Sequence, residues 1–162
     1  PRRGHAWRLP QPLEAEAIRD HAAYGRLGVM RISVVLDGHD LSVLVPFWTT
    51  ALGYDAVFSL PEFEVLRPRE GEPPGPVFIL QRVPEAKVGK NRMHVDVHPP
   101  LEPGVPGLVE RLEALGGSRI GEPVTDLLEA IDSWWQVMAD PEGNEFCVVA
   151  DPGHPAPGQT ET

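Results

Sequence analysis

A chain of 162 residues, 41% apolar and 23% charged, is long enough for one domain with a real core, or for two small halves that share one, and its composition is globular rather than disordered. A formal net charge of −10 and a pI near 5.0 argue against nucleic acid or an anionic membrane as the main partner, because both need clustered Lys and Arg. A single cysteine excludes an intrachain disulfide and fits a reducing, cytoplasmic compartment, and no apolar run approaches the roughly 18 residues of a membrane span.

The start of the chain, PRRGHAWRLP, is basic but lacks a following apolar h-region, which argues against a signal peptide. Residues 1–28 read as an extension. Leu13, Ala17 and Ile18 at helical spacing, with Pro12 in a first turn, predict one short helix over 12–24. The β-branched run 31–36 predicts a strand ended by Asp37 to Asp40. Leu41, Leu44, Val45, Phe47, Trp48, Ala51 and Leu52 follow helical periodicity up to Gly53, a natural stop. Pro46 lies inside this pattern and would suit a helix beginning nearer 44. Short strands are predicted at 56–59 and 62–66, and after a Pro/Gly loop at 76–83.

The order then repeats. RMHVDVH at 92–98 alternates as a strand, with His94, Asp96 and His98 on one face. Leu108, Val109, Leu112 and Leu115 give a helix stopped by Gly116 and Gly117, followed by strands at 118–120, 133–139 and 145–150. Ala-Leu-Gly closes the helix of each unit, at 51–53 and 114–116. Between the last two strands, Asp140-Pro141-Glu142-Gly143-Asn144 supplies turn chemistry. The prediction is an α+β fold of two βαβββ modules, about 30–84 and 91–151, forming paired curved mixed sheets around a central cavity. Residues 29–151 form one domain, and 152–162 read as a disordered tail.

With these elements in place, the chain resembles the vicinal oxygen chelate superfamily, the glyoxalase/bleomycin-resistance/dioxygenase fold, and more narrowly its glyoxalase-like domain proteins of actinobacterial type. The matching stretches are 34–37, 47–54, 81–85, 90–97, 115–117 and 140–147, in order and at the expected spacing. Enzymes of this superfamily hold a divalent metal by one residue on each of four strands. The resemblance places those positions on Ser33, on Ile79 or Gln81, on His94, and on Cys147 where a carboxylate is expected. Ser33 is a poor ligand and Ile79 is none, which leaves His94, Gln81 and Cys147 as the metal set, open to zinc, nickel, iron or manganese, with no metal the favoured reading. Asp96, His98 and Glu145 share the faces of His94 and Cys147 and could be recruited.

Each of these residues also has a structural explanation. His94 can be a hydrogen-bonded pocket wall or an acid–base group. Cys147, with no Lys or Arg neighbour in sequence, reads as an apolar filler rather than a reactive thiol. Asp140 and Asn144 are turn-makers first. Of Trp134 and Trp135, one faces core or pocket and the other covers a surface. Two functions follow. One is a small-molecule-binding protein whose cavity is lined by Ser33, Ile79, Gln81, His94, Asp96, Trp135 and Cys147. The other is a lyase, isomerase or dioxygenase using His94 with a metal or as a lone base. The resemblance also implies a homodimer.

Overall fold

The computed structural model describes residues 32–126 and 128–158. The helix expected over 12–24 lies outside them. Eight strands and three helices follow in the order β1 (Ser33–Gly38), α1 (Leu41–Leu52), β2 (Tyr54–Leu60), β3 (Phe63–Pro68), β4 (Val77–Arg82), β5 (Asp96–Val97), α2 (Gly104–Ala114), β6 (Ser118–Arg119), α3 (Leu128–Ile131), β7 (Trp134–Ala139) and β8 (Glu145–Ala150). They form two four-stranded mixed sheets, ordered β1-β4-β3-β2 and β5-β8-β7-β6. The second order is the first with every strand advanced by one module, and the edge strands β1 and β5 run parallel to β4 and β8 in the same way. The βαβββ repeat read from the sequence is therefore the architecture.

Several boundaries moved for local reasons. The first helix begins at Leu41, not nearer 44, because Asp40 caps it: its carboxylate accepts bonds from the Ser42 backbone N–H at 2.9 Å and the Ser42 hydroxyl at 2.7 Å. Pro46 consequently sits in the helix interior. At the other end Gly53 takes φ 66°, where its N–H reaches the Thr49 and Thr50 carbonyls. The predicted strand at 92–98 pairs only over Asp96–Val97, and the four-residue helix α3 had no sequence counterpart. After β8 the chain is tied back by Gly153 N–H to the Asp132 carboxylate and by Trp134 Nε1–H to the Pro155 carbonyl.

The two long helices, α1 and α2, stand on the core side of their sheets, and one continuous core joins the modules. Trp48 of α1 stacks on Phe78 of β4 at 4.9 Å between ring centroids and meets Phe146 of β8 at 5.2 Å, so a single side chain packs on both sheets. Phe47 meets Phe146 edge-on at 5.6 Å.

The turn between β7 and β8 supplies the polar half of the same junction. Asp140 is 3% exposed. Its carboxylate accepts bonds from the backbone N–H groups of Glu142 and Asn144, from Asn144 Nδ2, and from Trp48 Nε1 at 3.1 Å. Glu142, one turn residue on, reaches the other module: its carboxylate accepts bonds from the backbone N–H groups of His39 (2.6 Å) and Asp40, at the start of α1.

Gly117 closes the second module. A Cβ there would lie 2.6 Å from Phe47 Cε2, 3.0 Å from the Leu112 carbonyl oxygen and 3.2 Å from that of Ala139. Two of these neighbours are backbone and the third is a buried ring, so nothing can give cheaply. Gly117→Ala is expected to cost about 2–3 kcal/mol, read as a lowered denaturant midpoint at unchanged slope.

Candidate functional site

Alternation along the strands leaves one face of each sheet toward the core and the other outward. In β8, Phe146 and Val148 are core while Glu145, Cys147 and Val149 face away from it; in β7, Trp134, Gln136 and Met138 are buried while Trp135 and Val137 are half-buried. The outward face of the second sheet lines a pocket of about 520 Å³. Trp135, Val137 and Val149 form its apolar wall, and His94, Asp96 and Cys147 its polar end.

The parallel register sets that polar end. Asp96 pairs directly with Cys147, and Cys147 N–H bonds the Val95 carbonyl at 3.0 Å, so the two side chains emerge side by side. His94, two residues before Asp96, completes the group, its Nε2 lying 3.2 Å from Asp96 Oδ1. The ligand atoms of His94, Asp96 and Cys147 all lie within 4.8 Å of one another. His94 and Asp96 are about half exposed, whereas Cys147 is buried. Burial pushes the Cys147 thiol up to about 11, helped by the Asp96 charge and hydrogen bond and opposed by Lys90. The thiol is thus neutral at pH 7.

Glu145, on the same face, is engaged elsewhere. Its carboxylate meets Lys87 Nζ at 2.9 Å and the Asn91 backbone N–H at 3.0 Å. The Lys87 hydrogen bond first, and then that of Asn91, hold it down at about 2. The pair fastens the linker between the modules to the pocket's edge. His98, the third member of the His94 face, pairs instead with Asp151, Nδ1 to Oδ1 2.8 Å.

Of the residues singled out in the sequence, His94, Asp96, Trp135 and Cys147 therefore meet in one pocket. Ser33, Ile79 and Gln81 stand on β1 and β4 of the first sheet and do not line it. Trp134 is the core tryptophan of the pair. A hard divalent ion held across four strands does not fit these residues: Ile79 offers no donor atom, and the Ser33 and Gln81 positions are not gathered with His94 and Cys147. Lys90, Asn91 and Ser133 also line the pocket and were not anticipated. Ser133 had a readable signal, since it precedes Trp135 by two on a predicted strand. Lys90 and Asn91 had none, because the linker's path depends on the Lys87–Glu145 pair.

A second concavity, of about 570 Å³, opens around Leu41, Pro46, Leu60 and Pro61. Its polar groups are already used: Glu64 takes the Ser59 hydroxyl, and Arg82 bonds the His39 and Pro61 carbonyls. Among the described residues the gathered His, Asp and Cys side chains are those of the second module's pocket. Among the described residues no helix is long and apolar enough to cross a membrane.

A family model described as a glyoxalase-like domain matches residues 33–149. Among solved structures, the chain is similar to a glyoxalase-related enzyme from Fulvimarina pelagi, with 20% identity over 82% of this chain and 96% of that one and a TM-score of 0.58. It is similar to the fosfomycin resistance protein FosX from Listeria monocytogenes, with 14% identity over 77% and 95% and a TM-score of 0.60. A glyoxalase/bleomycin resistance protein/dioxygenase family enzyme from Burkholderia phytofirmans PsJN matches with 19% identity over 73% and 95% and a TM-score of 0.56. At these identities the structures speak for the fold alone. No curated protein matches the chain. Since the matched region runs from the first residue of β1 to the penultimate residue of β8 and takes in both modules, the chain belongs to the glyoxalase-like domain family of the vicinal oxygen chelate superfamily.

Proposed function

We propose that the protein binds a small organic molecule against the outward face of its second sheet, without the four-strand metal of its superfamily. The observation that carries this is the pocket itself: an apolar wall around Trp135 closed at one end by His94, Asp96 and Cys147. Apolar area supplies affinity and a few convergent polar groups fix orientation. The net acidic charge and single buried thiol suit a cytoplasmic protein.

The outward face of the first sheet supports a homodimer. Ser33 and Val35 of β1 are exposed, Val35 by 51%, while Val34 and Leu36 pack inward. An exposed valine on the edge strand of the sheet suits a second copy that covers it. Light scattering that gives a monomer at working concentration overturns the dimer.

The pocket is tested by screening uncharged and singly charged aromatic or heterocyclic compounds, following the Trp135 indole N–H by NMR. Hits should shift that signal and bind at least about tenfold more weakly in Trp135→Ala, given the area an aromatic wall contributes. Hits that ignore both Trp135→Ala and His94→Ala overturn the reading. A second reading, a lyase, isomerase or dioxygenase, draws on the His94–Asp96 pair, which could hold an imidazole ready for proton transfer. Turnover unchanged in His94→Ala sinks it.

A further inference from the structure

The register of β5 against β8 gathers three donors of unlike softness: the imidazole of His94, the carboxylate of Asp96 and the thiol of Cys147. We propose that these three side chains form a binding site for a thiophilic divalent cation of the zinc type, held wholly by the second module. The site shares its location with the proposed ligand pocket but differs from the four-strand arrangement, since it uses Asp96 and asks nothing of Ser33, Ile79 or Gln81.

The geometry is close to what such an ion needs. Tetrahedral zinc with bonds of about 2.0–2.3 Å sets its donors roughly 3.3–3.8 Å apart. His94 Nε2 and Asp96 Oδ1 are already 3.2 Å apart, and no pair of donors exceeds 4.8 Å. Closing the widest gap takes about 1 Å of side-chain rotation, and two of the three side chains are half exposed and can turn. The third is anchored on a buried, fully paired strand, which fixes where the ion would sit.

The donor chemistry decides the class of ion. A thiolate and an imidazole favour zinc-like cations, whereas magnesium, calcium and manganese prefer all-oxygen sets. Binding replaces the Cys147 thiol proton, which leaves to solvent, and no electron moves. Thiolate and carboxylate then balance the ion's two charges. Three protein donors leave a fourth position, and the pocket that holds these donors is also walled by Trp135, Val137 and Val149. That is the layout of an open zinc site rather than a closed structural one.

The test uses the full chain, stripped with a chelator and titrated with cobalt(II) and then zinc. The expected result is one equivalent per chain and an intense near-ultraviolet thiolate-to-cobalt absorption. Zinc displaces it, magnesium does not, and Cys147→Ser abolishes it. Asp96→Asn, at a half-exposed position that leaves the core intact, should weaken zinc by at least about tenfold, a loss that even outer-shell partners of metal sites produce. No stoichiometric binding, a cobalt band that survives Cys147→Ser, or zinc affinity unchanged in Asp96→Asn overturns the site. The two proposals separate cleanly. Organic compounds that shift Trp135 in a protein that takes no zinc leave the pocket and remove the metal. Stoichiometric zinc with no organic ligand does the reverse.

Discussion

Asp140→Ala should lower the unfolding free energy by about 3–4 kcal/mol, a large share of the 5–15 kcal/mol typical of a domain. The variant removes one buried carboxylate and strands several donors at once. Trp48 Nε1 and Asn144 Nδ2 lose their acceptor inside the core, and the Glu142 and Asn144 backbone N–H groups lose theirs in the turn. Each unpaired buried donor costs about 1–3 kcal/mol, partly recovered where water can enter. Asp140→Asn keeps one oxygen for the turn and presents an amide where an acceptor was, so it should fall between wild type and Ala. Trp48→Phe removes the bond between modules together with the part of the indole that packs on Phe78 and Phe146. Because Trp48 and Asp140 are in contact, the double variant should be less damaged than the sum of the two singles, and that shortfall measures the coupling. Urea denaturation reads all four proteins. A cost for Asp140→Ala under about 1 kcal/mol, the scale of an ordinary exposed turn residue, would show that the turn is not the junction described here.

That junction also shows how much of the molecule the sequence could tell. Local signals carried the repeat: the two Ala-Leu-Gly helix ends, the alternating strands, and the glycines that stop α1 and α2. They are legible because helix stops and strand faces depend on residues a few places apart. Asp140 and Asn144 were rightly read as turn-makers, yet their second task was hidden, since Trp48 lies 92 positions away. Glu142 reaching the start of α1 spans 102 or 103 positions and leaves no local trace. The Asp40 cap was readable, an Asp followed two residues later by Ser at the head of an apolar periodic run. It was overlooked in favour of Pro46 as the start signal.

The site divides in the same way. Sharing of a face along one strand put Asp96 with His94, and Glu145 with Cys147, from alternation alone. Which of those pairs meet across strands depends on register, and register is tertiary. The parallel offset set Asp96 beside Cys147 and gave His98 to Asp151 and Glu145 to Lys87. The sequence therefore named His94, Asp96 and Cys147, which the structure brings together in the second module, while the resemblance distributed the site over both sheets.

Alkylation of Cys147 in the chelator-treated protein should be about 100-fold slower at neutral pH than that of an ordinary cysteine, and its rate should keep rising until the pH nears 11. The thiolate is the nucleophile, so the rate follows the thiolate fraction, and a shift from 9.0 to about 11 removes roughly two powers of ten. Burial is the main cause. Asp96 adds to it twice, by its charge and by accepting the thiol's hydrogen bond, while Lys90 at the pocket rim works against it. The order of variants follows. Asp96→Asn should bring the midpoint down toward 9.0, and Lys90→Met should raise it further. The same shift has a sign for stability. The unfolded chain loses this proton near 9.0 while the native protein keeps it to about 11, so above pH 9 the native state is progressively disfavoured. A pH–rate profile with iodoacetamide, read by mass spectrometry on this one cysteine, checks each step. A midpoint at or below 9.0 would mean that water fills the floor of the pocket. The apolar wall around Trp135 could then not bind as proposed.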